Sequence, residues 1–131
     1  MRTIHHVWWD PSNAFDADQW PNDVKVAGDP ATLLTWPETH VFYRGIDDNI
    51  HRIRWDPDNG FAADQWPNEV KVAGNPATLF TWPETHVFYR GIDDNLHQVR
   101  WDPNNRFVNV RWPNDVKVAG KVATPVVTIG P

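Results

Sequence analysis

The sequence repeats itself with a period of 46 residues, and this feature limits its fold more than any other. The segment 9–54 differs from the segment 55–100 at only nine positions. Three WDP tripeptides begin at Trp9, Trp55 and Trp101. Such a period is typical of repeat proteins, in which one unit cannot bury its apolar face alone and stacks on its neighbours. The function is therefore expected to be repeated too, once per unit or once per junction.

One unit of the repeat, 75–120, alternates short aromatic and β-branched segments with turn residues. The pattern predicts strands at 77–82, 86–91, 95–101 and 116–119, with a loop between the third and the fourth. No window of useful length has the apolar period of a helix. Four short antiparallel strands in a repeat of about 40–50 residues predict an all-β fold built from β-propeller blades.

The whole chain, 1–131, is expected to form a single repeat domain. By alignment of the repeats, the segments 29–74 and 75–120 are complete blades. The segment 1–28 supplies the third and fourth strands of a split blade, and 121–131 supplies its first strand. The second strand of that blade has no counterpart in the sequence.

Two complete blades and a split one are too few to close a propeller, whose rings have at least about four blades. An open array would leave apolar faces in water and strand edges unpaired. We therefore expect a ring closed by homo-oligomerisation, with about six blades from a homodimer. A wider ring of three chains, or a fragment or engineered piece of a longer repeat array, is the alternative.

Composition excludes several classes of protein. The chain has no cysteine, so stability cannot come from disulfides. The net charge is −5, and binding to nucleic acid needs a clustered basic face, so we expect no nucleic-acid partner. The sequence contains no apolar run long enough for a signal peptide or a membrane span.

Two hairpin sequences, THVFYRGIDDNIHRIRWD and ETHVFYRGIDDNLHQVRWD, are similar to the repeats of bacterial and fungal β-propeller lectins. That family includes fucose-binding lectins, some of which assemble a six-bladed ring from short two-blade chains. The resemblance covers nearly the whole chain and implies the propeller fold and the ring assembly.

The resemblance does not extend to the residues that hold fucose in those lectins. They have an Arg two residues before the Tyr and a Glu three residues before the Trp. Here the first position is occupied by Val41 and Val87, and the second by Arg52 and Gln98, with His6 in the partial copy. Fucose specificity is therefore not implied.

The hairpin suggests a polar binding face. Taking Asp47 and Asp48 as a two-residue turn pairs Arg44 with His51 and places both on one face with Trp55. Guanidinium and imidazole groups can bond hydroxyls, and an indole can stack on a sugar ring. Packing between blades is the alternative for these groups. The equivalent set in the next repeat is Arg90, His97 and Trp101.

Repeated tryptophans are the second pointer to a ligand. Trp36 and Trp82 follow the first strand and lie beside Glu38 and Glu84, where a platform for a ligand and an anchor between blades are equally open. For the tryptophans that precede the VKVAG segments, anchoring between blades is the favoured interpretation; these are Trp20, Trp66 and Trp112.

These observations favour non-catalytic, multivalent carbohydrate binding at shallow sites between blades. Ser12 is the sole serine and each carboxylate candidate recurs unchanged, which argues against an enzyme. We expect no cofactor, and we interpret the WDPDN and WDPNN segments as turns rather than metal sites. A self-assembling or engineered scaffold without a ligand, and a protein–protein interaction module, are the alternatives. The candidate ligand-binding residues are Trp36, Glu38, Arg44, His51, Trp55, Trp82, Glu84, Arg90, His97 and Trp101.

Overall fold

The computed structural model describes residues 3–12, 14–22, 24–113, 117 and 122, and all regular secondary structure in this part of the chain is β-strand. The predicted all-β class is therefore confirmed. The strands are β1 (Ile4–Asp10), β2 (Ala14–Trp20), β3 (Ala31–Thr35), β4 (Glu38–Arg44), β5 (Ile50–Asp56), β6 (Gly60–Trp66), β7 (Ala77–Thr81), β8 (Glu84–Arg90), β9 (Leu96–Asp102) and β10 (Arg106–Arg111).

The strands form three antiparallel sheets in which sequential strands are neighbours. We call them the first sheet (β1–β2), the middle sheet (β3 to β6) and the third sheet (β7 to β10). The three strands predicted at 77–82, 86–91 and 95–101 are confirmed as β7, β8 and β9. The sheets of the described chain do not close into a ring. The division into blades at residues 28, 74 and 120 stays a prediction.

The predicted fourth strand was wrong in its position. The outer strand of each four-stranded sheet is β6 or β10, which lie where a loop was expected. The segment predicted as the outer strand, 116–119, falls outside the described residues except for Lys117. Its equivalent around Val72 forms only an isolated bridge, to Gly91 of the following sheet.

The VKVAG segments connect successive sheets through their backbones. The N–H of Val72 donates to the carbonyl of Asp48 in the middle sheet at 2.9 Å. The N–H of Ala73 donates to the carbonyl of Arg90 in the third sheet at 2.9 Å. Gly91 is required here, because a Cβ atom at this position would lie 2.5 Å from Val70. The segment therefore fixes the distance between two sheets.

The hairpin between β4 and β5 has a three-residue loop in place of the predicted two-residue turn. The N–H of Asp48 donates to the carbonyl of Gly45 at 2.9 Å, and Asp48 has a φ of 61°. A type I turn followed by a left-handed residue is a common three-residue connection, and Asp tolerates that conformation. Asp94 repeats it in the third sheet, with a φ of 62°.

The additional loop residue shifts the register and makes the predicted pairing wrong. Arg44 pairs with Ile50, and Tyr43 pairs with His51. Side chains alternate between the faces of a sheet, so a shift by one residue moves every β5 side chain to the other face. Arg44 therefore lies on one face of the middle sheet, and His51 and Trp55 lie on the opposite face. The β8–β9 hairpin has the same register, with Arg90 opposite Leu96 and Tyr89 opposite His97.

The sheets pack face to face, and the core lies between them. One cluster, which includes Trp20, Tyr43 and Ile53, joins the first sheet to the middle sheet. A larger cluster, which includes Trp66 and Tyr89, joins the middle sheet to the third sheet. The strands β3 and β7 lie next to each other, and the Thr78 hydroxyl of β7 donates to the Thr32 carbonyl of β3 at 2.7 Å.

Candidate functional site

A cleft opens between the middle and third sheets, at the end where β3 turns into β4 and β7 turns into β8. Its volume is about 710 Å³, which is within the range of small-molecule sites. Aromatic rings and charged side chains both contribute to its walls. The lining residues are Thr35, Trp36, Glu38, His40, Arg52, Arg54, Asp64, Trp66, Phe80, Trp82, Pro83, Thr85, Trp101, Pro103 and Phe107.

Two tryptophans stand at the mouth of the cleft with most of their surface in solvent. Trp36 is 87% exposed and Trp82 is 83% exposed. Each begins the two-residue turn between the first and second strands of its sheet, and each is joined to its proline by a cis peptide bond. Phe80 contacts Trp82 edge to face, with ring centroids 6.2 Å apart. These two indoles are therefore not core residues. Their exposed rings are suited to contact with a ligand.

An ion pair lies in the wall formed by the middle sheet. Arg52 and Asp64 are directly opposite each other on β5 and β6. The Nε atom of Arg52 donates to Oδ1 of Asp64 at 3.0 Å, and Nη2 donates to Oδ2. The guanidinium lies 5.2 Å from the ring centroid of Trp66, within the range of a cation–π contact. Two hydrogen bonds and one stacking contact thus hold Arg52 in a single orientation.

Glu38 lies at the centre of a second cluster of polar side chains. Its carboxylate lies 3.7 Å from Arg54 and 3.6 Å from Nε2 of His40. The same His40 nitrogen is 2.7 Å from the hydroxyl of Thr35. The cleft therefore presents carboxylate, guanidinium, imidazole and hydroxyl groups around an aromatic mouth.

The charges that line the cleft cancel at neutral pH. Burial, together with the neighbouring charges of Arg52 and Arg54, lowers the pKa of His40 from 6.5 to about 4. His40 is therefore neutral at pH 7. The two guanidinium groups face the carboxylates of Glu38 and Asp64, which leaves no net charge on the lining residues.

Four of the predicted binding residues lie at the opposite end of the sheets. In the middle sheet, Nη1 of Arg44 donates to Asp48 at 3.2 Å, and Nε2 of His51 is 2.9 Å from Asp47. The imidazole of His51 also stacks on Tyr43, with ring centroids 5.4 Å apart. These groups fasten the three-residue loop and do not line the cleft. Their equivalents do the same in the third sheet, where Arg90 bonds Asp94 and His97 bonds Asp93.

The structure thus brings together four of the ten predicted residues and separates the rest. Trp36, Glu38, Trp82 and Trp101 line the cleft. Trp55 lies on the face of the middle sheet that meets the first sheet, and Glu84 lies 3.5 Å from His86 of the third sheet.

Sequence reasoning missed the polar residues of the cleft wall. A two-residue turn would place Arg52 and Arg54 on the face opposite Arg44, whereas the observed register places them on the same face as Arg44. Asp64 lies on β6, in the part of the repeat where the sequence pattern predicts a loop. The observed register places Arg54 of β5 opposite His40. The available signal was Arg54, which recurs as Arg100 in the next repeat.

The WDPDN and WDPNN segments are turns closed by their own aspartates. The Oδ1 atom of Asp56 accepts the N–H of Asp58 at 2.8 Å and that of Asn59 at 2.7 Å. Asp102 accepts two N–H groups in the same way. Such Asx turns occupy the carboxylate, and this hydrogen bonding lowers the pKa of both aspartates. No cluster of three or more metal-ligating side chains occurs among the residues described.

Comparison with known proteins gives a fold relationship. No family model matches the chain, and no curated protein matches it at a significant level. Among solved structures, the chain is similar to a fucose lectin from Kordia zhangzhouensis, determined in complex with methyl-fucoside. The TM-score is 0.54 at 16% sequence identity, over 86% of this chain and 93% of that chain. The likeness is one of fold. Within the described part of the chain, no helix has the length and apolarity to cross a membrane.

Proposed function

We propose that this protein is a non-catalytic carbohydrate-binding protein and that the cleft between the middle and third sheets is its binding site. The observation that carries the proposal is the pair of exposed indoles, Trp36 and Trp82, at the mouth of a cleft with polar walls. The fucose lectin of similar fold supports the same class of ligand, and it is a lectin rather than an enzyme.

The chemistry of the cleft suits a saccharide. A sugar ring has an apolar face of C–H groups and an edge of hydroxyls. The indoles of Trp36 and Trp82 offer flat apolar surface to the first, and the carboxylate of Glu38 and the guanidinium of Arg54 accept from and donate to the second. The aromatic ring of Trp101 completes the apolar wall. Association of chains would bring a second copy of the cleft into one particle, which raises avidity for a glycan surface.

We further propose that chains associate into a closed propeller, with a homodimer of about six blades as the expected ring. Within the chain, Phe61 packs on Trp20 of the preceding sheet, with ring centroids 5.1 Å apart. Phe107 packs on Trp66 in the same way, at 5.0 Å. Phe15, at the equivalent position of the first sheet, is 77% exposed. A second chain would supply the missing tryptophan, which is Trp112, itself 42% exposed.

A glycan array, followed by calorimetric titration of the best methyl glycoside, tests the proposal. We expect the wild type to bind and Trp82→Ala to weaken binding at least about tenfold, or about 1.4 kcal/mol. Trp82 is exposed, so its removal should not unfold the protein. Ile92→Ala is the control, since this residue is also exposed but lies outside the cleft.

Two results would contradict the proposal. Equal binding by Trp82→Ala and the wild type would show that the glycan does not bind in the cleft. No binding to any glycan, combined with a native mass of two chains, would favour the self-assembling scaffold. A native mass of one chain at every concentration would rule out the ring.

A further inference from the structure

One cross-strand pair in the wall of the cleft changes its chemistry from sheet to sheet. Its fourth-strand member lies in a variable segment, since 60–66 differs from 106–112 at five of seven positions. In the middle sheet, Arg52 of the third strand lies opposite Asp64 of the fourth strand. The third sheet has Gln98 opposite Val110 at the equivalent positions, 46 residues later. The first sheet has His6 opposite Asp18. Both members of the pair change together, from an ion pair to an amide beside an aliphatic side chain.

In the third sheet the protein satisfies its own polar groups at this place. The indole N–H of Trp112 donates to Oε1 of Gln98 at 2.7 Å. The Nε2 atom of Gln98 donates to Nδ1 of His86. One carboxamide therefore serves as acceptor for the indole and as donor for the imidazole.

In the middle sheet the equivalent indole and imidazole have no such partner. Arg52 is turned toward Asp64 and carries no acceptor atom. Among the described residues, Nε1 of Trp66 and Nδ1 of His40 have no hydrogen-bond partner, although both atoms are buried. A buried polar group without a partner carries the cost of its lost hydration and so lowers stability. Glutamine, which the chain uses 46 residues later, would avoid this cost.

The Arg52–Asp64 ion pair, which leaves these two buried atoms without partners, faces the cleft. Nε and Nη2 of Arg52 hold Asp64, and among the described residues no hydrogen bond is found for its Nη1 group. The Asp64 side chain is 43% exposed. The Arg52 side chain is 14% exposed, and both side chains line the cleft. The pair therefore offers a donor and an acceptor side by side, in an orientation already fixed by the stacking on Trp66.

We infer that the Arg52–Asp64 pair is the specificity-determining element of the cleft, and that it binds two neighbouring hydroxyls of a neutral saccharide. One hydroxyl accepts from Nη1 of Arg52, and the next donates to Asp64. The lining charges cancel, so an additional carboxylate on the ligand would be left without a counter-charge. The third sheet, where Gln98 bonds Trp112 and His86, does not bind in this mode. This inference rests on the proposed carbohydrate-binding function.

The experiment exchanges the pair between the two sheets. The double variant Arg52→Gln/Asp64→Val gives the middle sheet the pair of the third. The matched control, Gln98→Arg/Val110→Asp, makes the opposite exchange outside the cleft. The probes are the methyl glycosides of fucose, mannose, galactose, glucose and N-acetylglucosamine, and that of sialic acid as the charged member. Affinity is measured by calorimetry, and stability by urea unfolding.

The inference makes opposite predictions for affinity and for stability. The Arg52→Gln/Asp64→Val variant should bind the preferred neutral glycoside at least tenfold more weakly than the wild type, and yet unfold at a higher urea concentration. The control variant should bind no more weakly than the wild type and unfold at a lower urea concentration. A purely structural ion pair would instead lower stability when it is removed, without a selective loss of affinity.

Failure of the inference is distinguishable from failure of the proposed function. If the wild type and Trp82→Ala differ in affinity but the Arg52→Gln/Asp64→Val variant binds within twofold of the wild type, the inference is overturned and the binding site stands. Preference of the wild type for the sialic acid glycoside would overturn the neutral ligand. If the wild type binds none of these glycosides, both proposals are wrong.

Discussion

The middle and third sheets have similar sequences, with most differences in the fourth strand, but they bury equivalent residues differently. Trp66 of the middle sheet is 1% exposed, whereas Trp112, 46 residues later, is 42% exposed. The cause is the neighbouring sheet. Phe107 of the third sheet packs on Trp66, whereas no further sheet in the described chain covers Trp112. The same residue type is thus a core residue in one copy and a surface residue in the next. Burial in this fold is a property of the junction between sheets more than of the sheet itself.

The largest test of this comparison replaces the two tryptophans. Trp66→Ala should lower the free energy of unfolding by about 3–5 kcal/mol, as expected for removal of a fully buried aromatic side chain. Trp112→Ala should cost only about 1–2 kcal/mol in dilute solution, because much of this indole already contacts water. Urea unfolding measured by far-ultraviolet circular dichroism gives both values.

Protein concentration then distinguishes a free face from a ring junction. If a second chain covers Trp112, the cost of Trp112→Ala should rise toward that of Trp66→Ala as the concentration increases. Equal costs at every concentration would show that the two junctions are already alike in a single chain, and the comparison would fail.

A smaller effect is expected at an aliphatic position that the repeat also conserves in type. Val99 of the third sheet is fully buried, and Val7 of the first sheet is 66% exposed. Val99→Ala should cost about 2 kcal/mol through lost burial and a small cavity. Val7→Ala should cost less than about 0.5 kcal/mol in dilute solution. The two variants carry the same change of side chain, so a similar loss of stability would mean that the outer face of the first sheet is covered.

The first three strands of the repeat unit could be predicted because they are short aromatic and β-branched segments bounded by turn residues. The fourth strand could not, since β6 (GFAADQW) is exposed along most of its length and carries no apolar alternation. It forms an edge, where pairing to β5 rather than burial determines the strand. A sequence pattern that detects burial is therefore blind to it. Asp64 lies on this strand, so its place in the cleft wall could not be predicted from the sequence.

The register could not be read from the sequence because two turns of different length fit the residues IDDN. A two-residue turn and a three-residue turn both accept Asp in left-handed conformation. Only the observed hydrogen bond from Asp48 to Gly45 decides between them. That single residue exchanged Arg52 and Arg54 for His51 on the face that forms the cleft. Predicted residues that lie on turns, such as Trp36, were unaffected.

The smallest expected effect compares His40 of the middle sheet with His86, which occupies the same position in the third. Burial lowers the pKa of both, but Arg52 and Arg54 lower that of His40 further, to about 4, whereas the carboxylate of Glu84 partly opposes the shift at His86. Nuclear magnetic resonance titration of the imidazole carbons should therefore show His86 protonating at a higher pH than His40. Protonation of His40 near its ordinary value of 6.5 would show that the middle junction is wetter than the structure indicates.

The same difference predicts how stability depends on pH. Below about pH 6.5 the unfolded chain binds a proton at His40 that the folded chain does not, so stability falls as the pH falls, until the folded protein also protonates near pH 4. Asp47 and Asp93, whose pKa values are lowered by hydrogen bonds, contribute stability that is lost only below about pH 4 and so do not obscure this range. We expect His40 to account for about 1 kcal/mol of lost stability between pH 7 and pH 5.5. His40→Gln should flatten the pH profile of urea unfolding in that range, and an unchanged slope would assign the dependence to another histidine.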